Sequence, residues 1–120
     1  MKQAKTLQFA FGLALLCGLA TPALAHQPIL KCVLLDESTV RCRAGTDEGD
    51  RTPDANIEVI DYDGKTLIAR KLGRSAMLTF PRPAAGYYVL FDMGPGYQAI
   101  VEHDEIRAPR RGENAAWMRR

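Results

Sequence analysis

Residues 56–71 read NIEVIDYDGKTLIARK, two short runs of β-branched and other apolar residues joined by the dipeptide Asp63-Gly64. β-Branched and aromatic residues favour strands, and Asp-Gly between two such runs is a strong signal for a tight β-hairpin. We therefore predict strands at 57–62 and 66–71 that pair through this turn.

The turn of this hairpin is predicted to be of type I′, with positive φ at both Asp63 and Gly64. The type of turn sets the register in which the two strands pair. A tight turn at this dipeptide places Ile60 opposite Leu67.

Five further runs of the same character occupy the chain after residue 26, and turn-forming residues separate them. They are predicted as strands at 29–35, 39–44, 76–80, 87–92 and 97–102. Many short strands separated in this way are typical of an all-β sandwich or barrel. We predict an all-β fold, a seven-stranded antiparallel sandwich of immunoglobulin-like or fibronectin-III-like topology. Its first, second and fifth strands form one sheet, and the other four form the second.

Cys32 and Cys42 are predicted to form a disulfide across the first two strands. A three-residue turn at 36–38 places Cys32 directly opposite Cys42, and cysteines on adjacent strands can lie close enough to bond. We interpret the pair as structural, because the chain has no Cys-x-x-Cys spacing of the kind that is typical of redox sites.

Residues 1–25 are predicted to be a cleaved secretory signal peptide. Two lysines without an acidic residue precede the apolar run 9–20, and Ala-Leu-Ala at 23–25 follows as a small-x-small cleavage signature. Pro22 interrupts the apolar run too early for a membrane span, which needs roughly 20 apolar residues. We therefore predict export to the periplasm, or secretion if the source has no outer membrane, with no membrane span after cleavage.

The mature chain is predicted to be one sandwich domain, 26–104, followed by a basic tail, 105–120, that is flexible or forms a short helix. Cleavage removes two lysines and no acidic residue, so the mature chain has equal numbers of basic and acidic residues. This balance does not point to nucleic-acid binding. The sequence has no Gly-x-Ser-x-Gly motif and no glycine-rich phosphate loop, and we predict that the protein is not an enzyme.

Cleavage after Ala25 would make His26 the first residue and free its α-amino group. The amine and the imidazole together form a chelating pair suited to copper or nickel. The predicted topology brings the chain start near the loop after the sixth strand, so the predicted metal site is His26, Asp92, Met93 and Tyr97. A second interpretation stays open, in which His26 simply follows the processing site and Met93 is a packed hydrophobic residue.

Several segments between 26 and 106 carry a family resemblance. They are the Ala25-His26 start, the hairpin sequence at 55–67, Phe80-Pro81, the segment 86–90 and the turn sequence at 93–99. In these segments the chain resembles small periplasmic β-sandwich proteins that accompany nickel and cobalt uptake transporters and are similar to carboxypeptidase-regulatory-like domains. The resemblance implies a nickel or cobalt ion as ligand and a membrane metal transporter as partner.

The chain departs from that family at two places. The family usually carries a histidine where this chain has Tyr97, and the pair Cys32 and Cys42 is not a family feature. A looser resemblance is to CopC-type periplasmic copper carriers, whose mature chain also starts with histidine. Their Asp-x-His motif is not matched by His103-Asp104, and the topology predicts that His103 lies at the end of the sandwich opposite His26.

Two functional hypotheses follow from the sequence. The first is an exported, non-enzymatic sandwich that binds or handles nickel, cobalt or copper, or assists a metal transporter. The alternative is a periplasmic structural or protein-interaction module without a metal site, which docks another periplasmic protein through a strand edge or the basic tail.

Overall fold

A computed structural model describes residues 18, 27–49, 52–111 and 113. The predicted signal peptide, apart from Gly18, lies outside the described residues, and so do His26 and the tail after residue 113. The predicted cleavage and the predicted character of the tail therefore stay predictions.

Seven strands and one turn of 3₁₀ helix make up the domain. The strands are β1 (Pro28–Asp36), β2 (Thr39–Thr46), β3 (Asn56–Asp61), β4 (Thr66–Lys71), β5 (Met77–Pro81), β6 (Tyr87–Asp92) and β7 (Gln98–Glu102), and the 3₁₀ turn is His103–Glu105. One sheet has the order β1-β2-β5 and the other the order β4-β3-β6-β7, with antiparallel pairing throughout. This arrangement confirms the predicted sandwich and its division into sheets.

The core lies between the two sheets, where alternate residues of each strand point inward. β3 and β6 pair with Ile57 opposite Phe91 and Val59 opposite Val89, and all four side chains are fully buried. On the facing sheet, β2 contributes Val40. Strands with one face buried alternate between apolar and polar residues, which is why the strands were recognisable from sequence.

The disulfide forms as predicted between Cys32 and Cys42. The two residues are direct partners in the β1–β2 register. Cys42 is fully buried and belongs to the core, whereas Cys32 is only partly buried and packs against it. The bridge therefore ties the edge strand β1 to the central strand of its sheet.

The β3–β4 hairpin differs from the prediction in turn type and in register. Positive φ occurs at Gly64 but not at Asp63, and the Asp61 amide donates to the Lys65 carbonyl across a three-residue loop. A three-residue loop of this kind combines a type I turn with a glycine bulge. The register continues with Ile60 opposite Thr66, so the predicted pairing of Ile60 with Leu67 is wrong.

A local hydrogen-bond network explains this choice of turn. The Asp61 carboxylate accepts hydrogen bonds from the Asp63 and Lys65 amides at 3.0 and 2.9 Å. An aspartate that bonds to the backbone two residues ahead favours an Asx turn. The wider loop moves the register by one residue. Leu67 becomes the unpaired residue of a bulge, and its side chain is exposed.

The sandwich also incorporates residues that follow the 3₁₀ turn. Ile106 is buried in the core, and the Arg107 carbonyl accepts a hydrogen bond from the Leu34 amide at 3.0 Å. The chain after β7 thus covers part of the β1 edge, so the domain includes residues that the sequence analysis assigned to the tail. Within the ranges given above, no helix is long and apolar enough to cross a membrane.

Candidate functional site

The end of the sandwich at which β1 begins contains the predicted metal-site residues that the structure describes. We call it the amino-terminal end, formed by Gln27, the β2–β3 loop and the β6–β7 turn. The Gln27 amide donates to Asp47 Oδ1 at 3.0 Å, and the Asp47 amide donates to the Gln27 carbonyl at 3.0 Å. This reciprocal pair fixes the backbone next to His26.

The same pair limits how a metal could be held at His26. The Gln27 amide N–H is already engaged by Asp47, and Pro28 has no amide N–H to give up. A chelate at a freed His26 would therefore consist of the α-amine and the imidazole, with further ligands supplied by other parts of the chain.

The three other predicted ligands share the β6–β7 turn but have different surroundings. The Met93 amide donates to the Tyr97 carbonyl at 2.9 Å, and the Gly94 amide donates to Asp92 Oδ1 at 2.8 Å. Met93 packs against the core, whereas the Tyr97 side chain is 41% exposed. The turn brings the residues together, and Met93 is partly buried against the core.

A cleft of about 430 Å³ separates this turn from the β2–β3 loop. Its lining consists of Thr52, Asp54, Ala55, Asn56, Asp92, Met93 and Gly94. The Thr52 hydroxyl is buried and has no hydrogen-bond partner among the residues that the structure describes. Over the same residues no three His, Cys, Asp or Glu side chains converge as a metal site; His26 lies outside them.

A second cleft, of about 420 Å³, lies at the opposite end, where the 3₁₀ turn follows β7. We call it the His103 cleft. Its lining consists of Glu37, Ser38, Arg82, Pro83, Ala84, Ala85, Gly86, Tyr87 and His103. These residues come from the β1–β2 turn, the β5–β6 connection and the chain after β7, so only the folded sandwich assembles them.

A hydrogen-bonded chain of side chains orients His103. The Tyr62 hydroxyl donates to Glu102 Oε2 and lies 3.1 Å from His103 Nδ1. A phenol has one proton to donate, so the hydrogen bond from His103 must run from Nδ1–H to the Tyr62 oxygen. This assigns the tautomer of a neutral His103 and leaves its Nε2 as a hydrogen-bond acceptor.

Gly86 allows the Tyr62 ring to occupy this position. A Cβ atom at residue 86 would lie 2.7 Å from the Tyr62 ring and 3.4 Å from the His103 ring. The His103 ring in turn contacts the rings of Tyr62 and Tyr87, with centroids 5.6 and 5.7 Å apart. Glycine is therefore required for close approach, and any side chain there would push Tyr62 away from its partners.

We expect Glu102→Gln to lower the pKa of Tyr62. The hydrogen bond to the Glu102 carboxylate, with smaller effects of desolvation and of neighbouring acids, raises this pKa from 10.0 to about 12. A neutral amide cannot hold the phenolic proton as strongly. Absorbance titration of tyrosinate, taken as the difference from a Tyr62→Phe variant, measures the shift.

The raised pKa of Tyr62 also makes the stability of the folded domain depend on pH. Because the folded domain holds the Tyr62 proton more tightly than the unfolded chain, this stabilisation is complete below pH 10 and is lost as the pH rises through about 12. Asp104→Asn is the control, since Asp104 acts on Tyr62 only through charge. An unchanged Tyr62 titration in Glu102→Gln would show that the hydrogen bond is not the cause.

Sequence reasoning did not identify this cluster. Tyr62 was assigned to the end of a predicted strand, and its partners Glu102 and His103 lie about forty positions further along the chain. No spacing rule connects residues so far apart. The one local signal was Gly86, which precedes β6 and marks a place where another group approaches the backbone closely.

Comparison of the chain with protein-family models, with curated proteins and with solved structures finds no match. Any functional conclusion must therefore come from the residues themselves.

Proposed function

We propose that this chain is an exported, non-enzymatic β-sandwich protein that binds nickel, cobalt or copper at a freed His26 and assists a membrane metal transporter. The observation that carries the proposal is the reciprocal hydrogen-bonded pair of Gln27 and Asp47. It holds the residue after His26 at a fixed place on the amino-terminal end. A fixed backbone lowers the entropic cost of ordering a terminal chelate.

The chemistry of this end suits a carrier of metal ions. Amine and imidazole nitrogens favour copper and nickel, and carboxylates accept the harder ions. Asp92 uses one carboxylate oxygen to cap the β6–β7 turn, and its other oxygen has no partner among the described residues. A site with two protein nitrogens and few carboxylates leaves coordination positions open, through which a receiving protein could take the ion.

The disulfide supports export. Disulfides persist in oxidising compartments such as the periplasm and are rare in reducing ones. The Cys32–Cys42 bond links strands within the core, where it serves the fold. A structural bond of this kind fits the periplasmic location that the predicted signal peptide implies.

Metal titration of protein with an authentic His26 terminus tests the proposal. We expect Cu(II) and Ni(II) to bind at least about tenfold more tightly to this form than to one extended by several residues, because extension removes the amine from the chelate. The extension must be long enough that His26 does not form a new chelate with amide nitrogens close to the added terminus. His26→Ala with a free terminus should lose affinity as well.

Two variants of Asp47 test whether its bond to the Gln27 amide contributes to metal binding. Asp47→Asn keeps an oxygen that can accept from the Gln27 amide but removes the charge, whereas Asp47→Ala removes the anchor itself. If the anchor orders the chelate, the alanine variant loses more affinity than the asparagine variant. Asp104→Asn, at the opposite end, is the matched control. Equal, weak binding by the authentic and extended forms would refute the proposal.

The alternative function, an interaction module without metal, is favoured by one observation. β4 is an edge strand in which every residue but Ile68 is exposed. An exposed edge offers unpaired backbone groups to a partner strand. Equal binding by the two forms in the titration, together with capture of a periplasmic partner that depends on β4, would support this alternative.

A further inference from the structure

The Tyr87 side chain is buried, but its hydroxyl is not among the buried unpaired oxygens of the described residues and reaches the His103 cleft. The residue is 2% exposed, and its ring packs against Phe80 and His103. Across the described ranges no group forms a hydrogen bond with this hydroxyl, although it borders the His103 cleft. The buried ring fixes the position of the hydroxyl at the wall of the cleft, so its donor is already oriented and is available to a ligand.

Arg82 places a positive charge at the same wall. Its backbone amide donates to the Ser38 carbonyl at 2.8 Å, and Nη1 donates to the Glu37 carbonyl at 3.3 Å. Two bonds to the β1–β2 turn thus hold the residue at the cleft. The guanidinium also opposes the rise in the Tyr87 pKa that burial causes, which indicates that the charge lies near the hydroxyl.

We propose that the His103 cleft binds a carboxylate group, held by the Arg82 guanidinium and the Tyr87 hydroxyl. Arginine is well matched to carboxylates because its planar fork can donate two parallel hydrogen bonds. This site is separate from the proposed metal function, which belongs to the opposite end of the sandwich.

Charge and shape favour a singly charged ligand. Glu37 lines the cleft together with Arg82, and Glu102, Asp104 and Glu105 are close enough to raise the pKa of the adjacent Tyr62. A doubly charged phosphate would be repelled by these acids, whereas a single carboxylate is matched by one guanidinium. The remaining space, beside Pro83, Ala84 and Ala85, accommodates an aliphatic part of the ligand.

Two sources can supply such a group, a free small carboxylic acid or the carboxyl terminus of a polypeptide. His103 also lines the cleft, and in its neutral form the tautomer assigned above has Nε2 as an acceptor. A polypeptide terminus has an amide N–H next to its carboxylate and could use that acceptor, whereas a simple carboxylate could not.

The test is a titration followed by amide chemical shifts of the oxidised, folded protein. The probes are acetate, an acetylated alanine tripeptide with a free carboxyl terminus, and the same peptide as its terminal amide. Saturable shifts at Ser38, Arg82, Gly86 and Tyr87 are expected for the free carboxylates, with a Kd on the order of 1 mM. The amide should not bind. Tighter binding of the peptide than of acetate identifies a polypeptide terminus, and equal binding identifies a small acid.

Variants distinguish specific binding in the cleft from weak association at the surface. Arg82→Gln should weaken binding by about tenfold or more, and Tyr87→Phe by about tenfold, since each removes a hydrogen bond to a charged group. Tyr87→Phe keeps the ring that packs in the core, and Arg82 is exposed, so both variants should fold. Arg70→Gln, on β4, is the control. Unchanged affinity in Arg82→Gln and Tyr87→Phe, or equal binding of the amidated peptide, would overturn the proposal.

Discussion

Phe91→Ala is expected to destabilise the domain by about 3–5 kcal/mol. Phe91 is fully buried, pairs with Ile57 on one side and with Ala99 on the other, and is among the largest side chains in the core. Its removal would lose the transfer free energy of the ring and leave a cavity between two sheets that cannot collapse freely. Domains of this size have a total stability of about 5–15 kcal/mol, so the variant should retain only a small margin.

Urea denaturation followed by circular dichroism measures this loss. Ile100→Ala is the matched control, because Ile100 lies on the neighbouring strand with a side chain 54% exposed. That variant should lose at most about 1 kcal/mol, mainly from lower β propensity. A loss for Phe91→Ala no larger than for Ile100→Ala would mean that the sheets do not pack around Phe91 as described.

Removal of the disulfide is expected to have the next largest effect. The double variant Cys32→Ala, Cys42→Ala should lose about 2.7 kcal/mol if the bond acts mainly on the unfolded chain, because it closes a short loop there. The sequence separation of 10 residues sets that loop. Some further loss should follow from the smaller side chain at the fully buried position of Cys42.

The denaturation midpoint with and without a reducing agent checks this expectation. Reduction should lower the midpoint of the parent protein and leave that of the double variant unchanged. A variant with only Cys32 replaced separates the two contributions, since it loses the bond but keeps the buried Cys42. If reduction does not move the midpoint of the parent protein, the bond does not contribute to its stability.

The two ends of the sandwich support separate proposals. The metal proposal depends on His26 and on the bond between Gln27 and Asp47, whereas the carboxylate proposal depends on Arg82 and Tyr87 at the other end. Their variants do not overlap, so either proposal can fail without affecting the other. A protein with both sites would bind a metal ion at one end and a carboxylate at the other.

The hairpin at 56–71 shows which features the sequence predicted correctly and which it did not. Its strands formed where β-branched residues alternate and where Asp-Gly ends the first run. The predicted turn type was wrong because the Asp61 side chain accepts hydrogen bonds from the Asp63 and Lys65 amides, which favours a three-residue loop over the predicted two-residue turn. Local propensity decides that a turn forms, while competing side-chain hydrogen bonds decide its length.

The predicted metal site shows a similar limit. Sequence and topology brought Asp92, Met93 and Tyr97 into one turn, as the structure has them. Whether a side chain packs inward or stays available depends on the twist and packing of the sheets, which no local pattern encodes. The packing of Met93 against the core was decided by the tertiary structure in this way.

By itself the sequence determined the seven strands, their assignment to two sheets and the facing positions of Cys32 and Cys42, because these follow from periodicity, turn residues and short loops. Only the tertiary structure decided that Ile106 completes the core and that Tyr62, Glu102 and His103 form one hydrogen-bonded chain. It also decided that Arg82 and Tyr87 line the same cleft. These contacts join residues far apart in the chain, and their geometry is fixed by how the sheets stack and where the connections cross their ends.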